Sequence, residues 1–132
     1  MGLLSRDAIL QVDDLVYEDV SVPEWGGMVR VKALAGAERD AFEAYIAGEQ
    51  QGKKRVRNLR NIRARMAAMA MVDEKGKAIF RPSDIETLGK KSAAALDRVF
   101  DAAMRLAGMR DEDIDELTEN FPEGPKDDST SD

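Results

Sequence analysis

The sequence predicts a mainly α fold, a compact helical domain that carries an N-terminal β-hairpin and ends in a disordered acidic C-terminal tail. Three observations lead there. Apolar residues recur every three or four positions along residues 55–72 and 92–107, the spacing of one helix face. Apolar and polar residues alternate on both sides of Pro23-Glu24-Trp25-Gly26-Gly27, the pattern of two strands joined by a glycine loop. From Pro122 onward only Pro, Gly, Ser, Thr and charged residues remain, with nothing to bury. At 132 residues, one hydrophobic core is enough. Residues 1–121 are therefore read as a single domain and 122–132 as the tail.

Taken in order, Ser5 is placed to cap a short helix over Arg6 to Gln11, with Ile9 and Leu10 as its apolar contacts. Asp13-Asp14 breaks that pattern. Residues 15–34 form the hairpin: Val16, Val20 and Val22 alternate on one strand, and Val29, Val31 and Ala33 on the other. A two-stranded hairpin is marginal in water, so its apolar face is expected on the helices or on another subunit. Trp25, the only Trp, has two open readings. It either folds back over the hairpin's open face or stands out as an anchor for a partner.

A helix over 37–47 brings Phe42, Tyr45 and Ile46 to one face, and Gly48 ends it. Residues 49–54 are a polar linker. The central helix is expected over 55–72, with Val56, Leu59, Ile62, Met66 and Met69 as its dry stripe and Arg57, Arg60, Asn61 and Ala68 off it. Residues 73–77 make a turn, and Ala78-Ile79-Phe80 is a short extended piece returning to the core. Ser83 and Glu86 have the capping-box spacing for a helix over 83–88, with Gly89 as its stop. Leu96, Val99, Phe100, Ala103 and Leu106 give the helix over 92–107 one face, and Asp101 and Arg105 are i,i+4 partners outside it. A last helix over 111–120 has the narrow seam Ile114, Leu117 and Phe121.

Composition removes most chemistry. There is no His and no Cys, so the commonest general base, the commonest metal ligand and any thiolate site are absent. No phosphate loop, dinucleotide glycine pattern or nucleophile elbow occurs. Acid pairs such as Asp111 with Asp115, or Asp113 with Glu116, lie beside the tail and read as a solvated face. No catalytic, cofactor or metal site is expected, and the chain is read as a non-enzyme. The first ten residues lack a signal-peptide core, and no run approaches the ~20 apolar residues of a spanning helix. Both point to the cytoplasm and away from membranes.

The net charge of −6 conceals a segregation. Lys53, Lys54, Arg55, Arg57, Arg60, Arg63 and Arg65 form a block without acids, whereas ten acids against one Lys follow from Asp111. Such a block could track phosphates in a small nucleic-acid-binding regulator using residues 53–65. No aromatics interleave with it for base stacking, and the pI of 4.8 opposes nucleic acid. A solvated basic face, partly paired with the acidic C-terminal helix, is the competing reading. Met66, Met69, Met71, Met104 and Met109 serve either as core filler or as an adaptable apolar surface.

The order of these stretches resembles a family. The opening Met-Gly-Leu-Leu-Ser-Arg-Asp-Ala-Ile-Leu, the Val-Pro-Glu-Trp-Gly-Gly loop and the Gly36-Ala37-Glu38-Arg39-Asp40-Ala41-Phe42-Glu43 helix start are similar to those of tail assembly chaperones of long-tailed bacteriophages. So are Asn58-Leu59-Arg60 and the run from Leu88 to Phe100. The resemblance implies a non-enzymatic protein that coats the long, apolar tape-measure protein, keeps it soluble and recruits tail-tube subunits. It also implies a longer, frameshift-extended form of the chain as a partner, residence in the bacterial host's cytoplasm, and absence from the mature virion. One departure is Ala35, which stands where the family pattern leads one to expect a capping Thr or Ser.

Candidate contact residues follow from physics and not from the resemblance: Trp25 and Met28 on the hairpin, Arg57 and Arg60 on the basic face. Trp25→Ala is expected to leave the fold intact while weakening self-association or tape-measure binding. Besides the regulator, the alternative is a structural head–tail or tail protein that stays in the particle.

Overall fold

The computed structural model describes residues 2–51, 54–56 and 59–109. The expected helix over 111–120, its acid pairs and the tail over 122–132 lie outside the described residues. Helix α1 (Arg6–Gln11) is capped as expected, the Ser5 hydroxyl accepting from the Ala8 N–H at 3.1 Å. Among the described residues it gains little apolar cover: no residue of α1 is buried, and Ile9 and Leu10 are 54% and 66% exposed.

Strands β1 (Tyr17–Val22) and β2 (Gly27–Lys32) pair antiparallel, with Val20 opposite Val29 and Val22 opposite Gly27. A 3-10 turn over Pro23–Trp25 joins them, closed by the Gly26 N–H on the Pro23 carbonyl at 3.0 Å. Gly26 has φ 76°, a left-handed conformation that Gly takes without steric cost. The hairpin gains a third strand that the sequence pattern hides. Met71–Val72 (β5, after two short strands given below) pairs with β2, so the sheet runs β1-β2-β5. Met71 continues the helical spacing of the residues before it, yet its backbone is extended, and both residues of β5 are buried. The fold is therefore a mixture of helices and antiparallel sheet, and not mainly α.

Helix α2 (Gly36–Ala47) buries Phe42 and Ile46. Ala35 offers no capping side chain, and the box is half made: the Glu38 carboxylate accepts from the Ala35 N–H at 2.8 Å. Ala35→Ser supplies the missing acceptor and is expected to stabilise the domain by about 1 kcal/mol. A thermal melt checks this as a rise of a few degrees.

The linker and the start of the central helix fold differently from expectation. Residues Glu49–Gln51 (β3) and Lys54–Val56 (β4) form an antiparallel ribbon, and helix α3 begins only at Ile62 and ends at Ala70. Asn61 has φ 54°, and a non-Gly residue in the left-handed region cannot continue a right-handed helix. Leu59 consequently falls outside α3 and is half exposed. What remains of α3 is apolar around most of its circumference, with Ala64, Met66, Ala67, Ala68 and Ala70 all buried. Ala68, expected off the stripe, is covered because α3 has neighbours on several sides: α2, α4 (Ile85–Leu88) and α5 (Ala93–Leu106) all touch it.

After β5 the Asp73 carboxylate accepts from the N–H groups of Lys75 and Lys77, at 2.8 and 3.0 Å, and fixes the expected turn. Before α4 the capping differs. Ser83 caps nothing, and the Asp84 carboxylate instead accepts from the Arg81 N–H at 2.9 Å across a 3-10 turn over Pro82–Asp84. Ser92 caps α5 through the Ala95 N–H at 3.2 Å. Helix α5 lies against the inner face of β1 and β2, burying Leu96, Val99, Ala103 and Met104. The hairpin's apolar face thus rests on the protein's own helices.

Candidate protein-interaction surface

Two arginines of α5 hold the hairpin at both ends. Arg98 forks onto Glu24 in the loop at 2.9 and 3.3 Å, and Arg105, two turns later, forks onto Glu18 in β1 at 2.6 and 3.1 Å. Arg105 is thereby drawn away from the expected partner Asp101, because a planar guanidinium matches a carboxylate bidentately. Arg30 joins Asp19 across the strands at 2.8 and 3.1 Å. These hydrogen bonds hold the carboxyls of Glu18, Glu24 and Asp19 below their ordinary range. A depressed folded-state pKa adds stability above the ordinary carboxylate range and loses it as pH falls through the folded value. The melting temperature is therefore expected to hold from neutral pH down to about pH 5 and to drop below about pH 4. Melts of a Glu18→Gln/Glu24→Gln variant should show a shallower acid decline.

The clamped loop presents Trp25 half-buried. One part of the indole packs against the core, and the side chain also lines an open groove of about 490 Å³ with Ile79, Phe80, Asp84, Thr87, Leu88 and Lys91. Met28 is 65% exposed and borders a second depression, lined by Val29, Val72 and Ile79 and by the charged Asp19, Arg30, Asp73 and Glu74. Ile79 lines both and is 49% exposed, so it links Trp25 and Phe80 on one side to Met28 on the other, and the four form an apolar band bordered by charged residues. Of its members, sequence reading singled out Trp25 and Met28 and sent Ile79 and Phe80 to the core. Only Phe80 is partly covered. The usable signal was Pro82 two residues later, which prevents Ala78-Ile79-Phe80 from continuing as a central strand.

Arg60 lies apart from this band. It is exposed, pairs with Glu86 of α4 at 3.1 Å, and its carbonyl accepts from the Tyr45 hydroxyl at 2.6 Å. Arg57 lies outside the described residues. Arg63 pairs with Asp97 of α5, and Arg65 is stacked 3.5 Å over the ring of Tyr45. Arg60, Arg63 and Arg65 thus each have a partner within the chain, two of those partners being acids of α4 and α5. Among the described residues, no group of three acids, Cys or His could hold a metal ion, and no helix is long and apolar enough to cross a membrane.

Comparison with known proteins adds a family and a fold. The phage tail assembly chaperone family matches residues 6–120. The solved structure of the bacteriophage HK97 tail assembly chaperone is similar with a TM-score of 0.55 at 18% identity, over 76% of this chain and 89% of the other. At that identity the likeness is one of fold. No curated protein matches the chain.

Proposed function

Because the chain belongs to the phage tail assembly chaperone family, we propose that it binds the tape-measure protein and helps recruit tail-tube subunits during tail morphogenesis. The observation that carries this reading is the amount of apolar surface left open. Among the described residues, ten large apolar side chains are about half exposed or more, including Leu4, Leu10, Met28, Leu59 and Ile79. Of these, Met28 and Ile79 lie beside half-buried Trp25 and Phe80, and apolar residues grouped in this way mark an interaction site. A long, apolar client gains by covering such a band, and the exchange stays reversible because no single deep pocket encloses it.

The same reading places the chain in the host cytoplasm, working beside a frameshift-extended form of itself, and leaving before the particle is complete. Co-expression with the tape-measure protein tests it. The tape-measure protein should be recovered soluble and bound to this chain, and mass spectrometry of finished virions should lack the chain. A tape-measure protein that stays insoluble contradicts the client assignment, and a chain retained in virions favours a structural tail protein.

A further inference from the structure

We infer that the cavity between α2, α3 and the turn before α4 binds a peptide carboxylate, brought by a client segment in which an acidic residue adjoins a bulky apolar one. The inference rests on the reading of the apolar band as a client-binding surface and adds the chemistry that the client must carry.

Among the described residues, seven arginines each pair with a carboxylate of the chain. Arg65 and Arg81 do not, and both line this one cavity. Arg65 is partly buried, and its Nε is shut off from solvent without an acceptor among the described residues. A sheltered donor left without an acceptor is rare in folded proteins and costly to keep. The guanidinium is stacked on the ring of Tyr45, whose hydroxyl is itself tied to the Arg60 carbonyl. The planar fork is therefore held in place before a ligand arrives, and little freedom is lost when a carboxylate takes it.

The acids nearby are already engaged. Glu38 also lines the cavity, but its carboxylate accepts from Lys32 and from the Ala35 N–H. Asp84 accepts from the backbone N–H of Arg81. Lys32 balances Glu38, so the charge of the two guanidiniums stands over for a ligand.

Phe42, Met69, Phe80 and Ile85 give the cavity apolar walls, and its volume is about 270 Å³. That lies below the ~300–1,000 Å³ of sites for drug-sized ligands and suits a single side chain with its acid. A bare phosphate would leave the apolar walls uncovered, whereas an apolar residue next to a carboxylate covers them and meets both arginines through charge-assisted hydrogen bonds. Phe80 is shared with the Trp25 groove, so the cavity continues the apolar band. A client segment laid over Trp25 and Ile79 reaches it by crossing one ring.

Titration of the full chain, its arginines isotope-labelled for NMR, with N-acetylphenylalanine tests the site without the client. The probe joins one aromatic side chain to a carboxylate. The Arg65 Nε–H resonance should shift and saturate at millimolar probe, and N-acetylphenylalaninamide, with the same ring and no charge, should bind about tenfold more weakly or worse. Arg81 is exposed, and its side chain makes no hydrogen bond or ion pair among the described residues. Arg81→Gln should therefore keep the wild-type circular dichroism while losing about tenfold in affinity for the acid and none for the amide. It should also capture several-fold less tape-measure protein on co-expression. Equal binding of acid and amide, or an Arg81→Gln chain that binds the acid as the wild type does, overturns the inference. So does wild-type capture of the tape-measure protein by that variant, which leaves the client reading intact. A chain that selects the acid yet captures no tape-measure protein instead overturns the client as the source of the carboxylate. An Arg65 resonance that moves when the acids of residues 111–119 are changed to amides overturns it too, by assigning the site to the chain's own acidic segment.

Discussion

Replacing Phe42 by Ala is expected to cost about 3–5 kcal/mol. Phe42 is fully buried where α2 meets the rest of the core, in one cluster with Ile46 on the same helix and Met66 on α3. Aromatics make up only 5% of the chain, so few other side chains carry comparable area. The surrounding core is largely Ala, Val and Met, and short alanine side chains have no freedom to swing into the space left by a ring. The loss is a large share of the roughly 5–15 kcal/mol that stabilises a typical domain. Urea titration of wild type and variant measures it directly. A cost below about 1 kcal/mol would mean that Phe42 is not the anchor its burial indicates.

Trp25→Ala is expected to have the largest effect on association. The indole contributes to the groove and to the core at once, so its removal should cost a modest amount of fold stability, about 1–2 kcal/mol. Binding should suffer more, because Trp is the residue type most often found carrying interface energy, at about 2 kcal/mol or more when truncated. A soluble, folded Trp25→Ala chain with weakened self-association and weakened client capture is the expected phenotype. The Arg98–Glu24 fork fixes the loop that bears Trp25, so an ion pair next to the indole in sequence holds that wall of the groove. Unchanged association would assign the indole to packing alone.

Much of the fold was legible because the local signals agreed with the tertiary ones. Ser5 and Ser92 cap where their spacing predicts, Gly26 takes the left-handed turn, and Val20, Val22, Val29 and Val31 face inward, whereas Val16 falls before β1 and is exposed. The failures have physical causes. Met71 and Val72 follow α3 without a break in the apolar run, and only their pairing with Val31 and Arg30 shows that they belong to a strand. A β-partner distant in sequence leaves no mark on local periodicity. The central helix was drawn too long because Val56 and Leu59 continue its stripe, whereas Asn61 adopts a positive φ that no apolar pattern reveals.

The surface was legible in part. Trp25 and Met28 could be singled out as large apolar residues in or beside a loop, and both border the exposed band. Ile79 was sent to the core because it stands next to Phe80, although Pro82 signals that the segment cannot run on as a central strand, and the sheet ends at the Val72–Ala78 bridge. The basic block misled in the opposite direction. Its charges suggest an open face, but Arg60 and Arg63 are paired with acids 26 and 34 residues away, contacts that only the packing of α3 on α4 and α5 creates.

Hydrogen exchange of the purified chain, with and without the tape-measure protein, tests the central claim most directly. The chaperone reading predicts new protection across residues 25–29 and 78–81, where the apolar band lies, with α3 and α5 unchanged. Tape-measure protein that binds without protecting those segments, or does not bind at all, would contradict it.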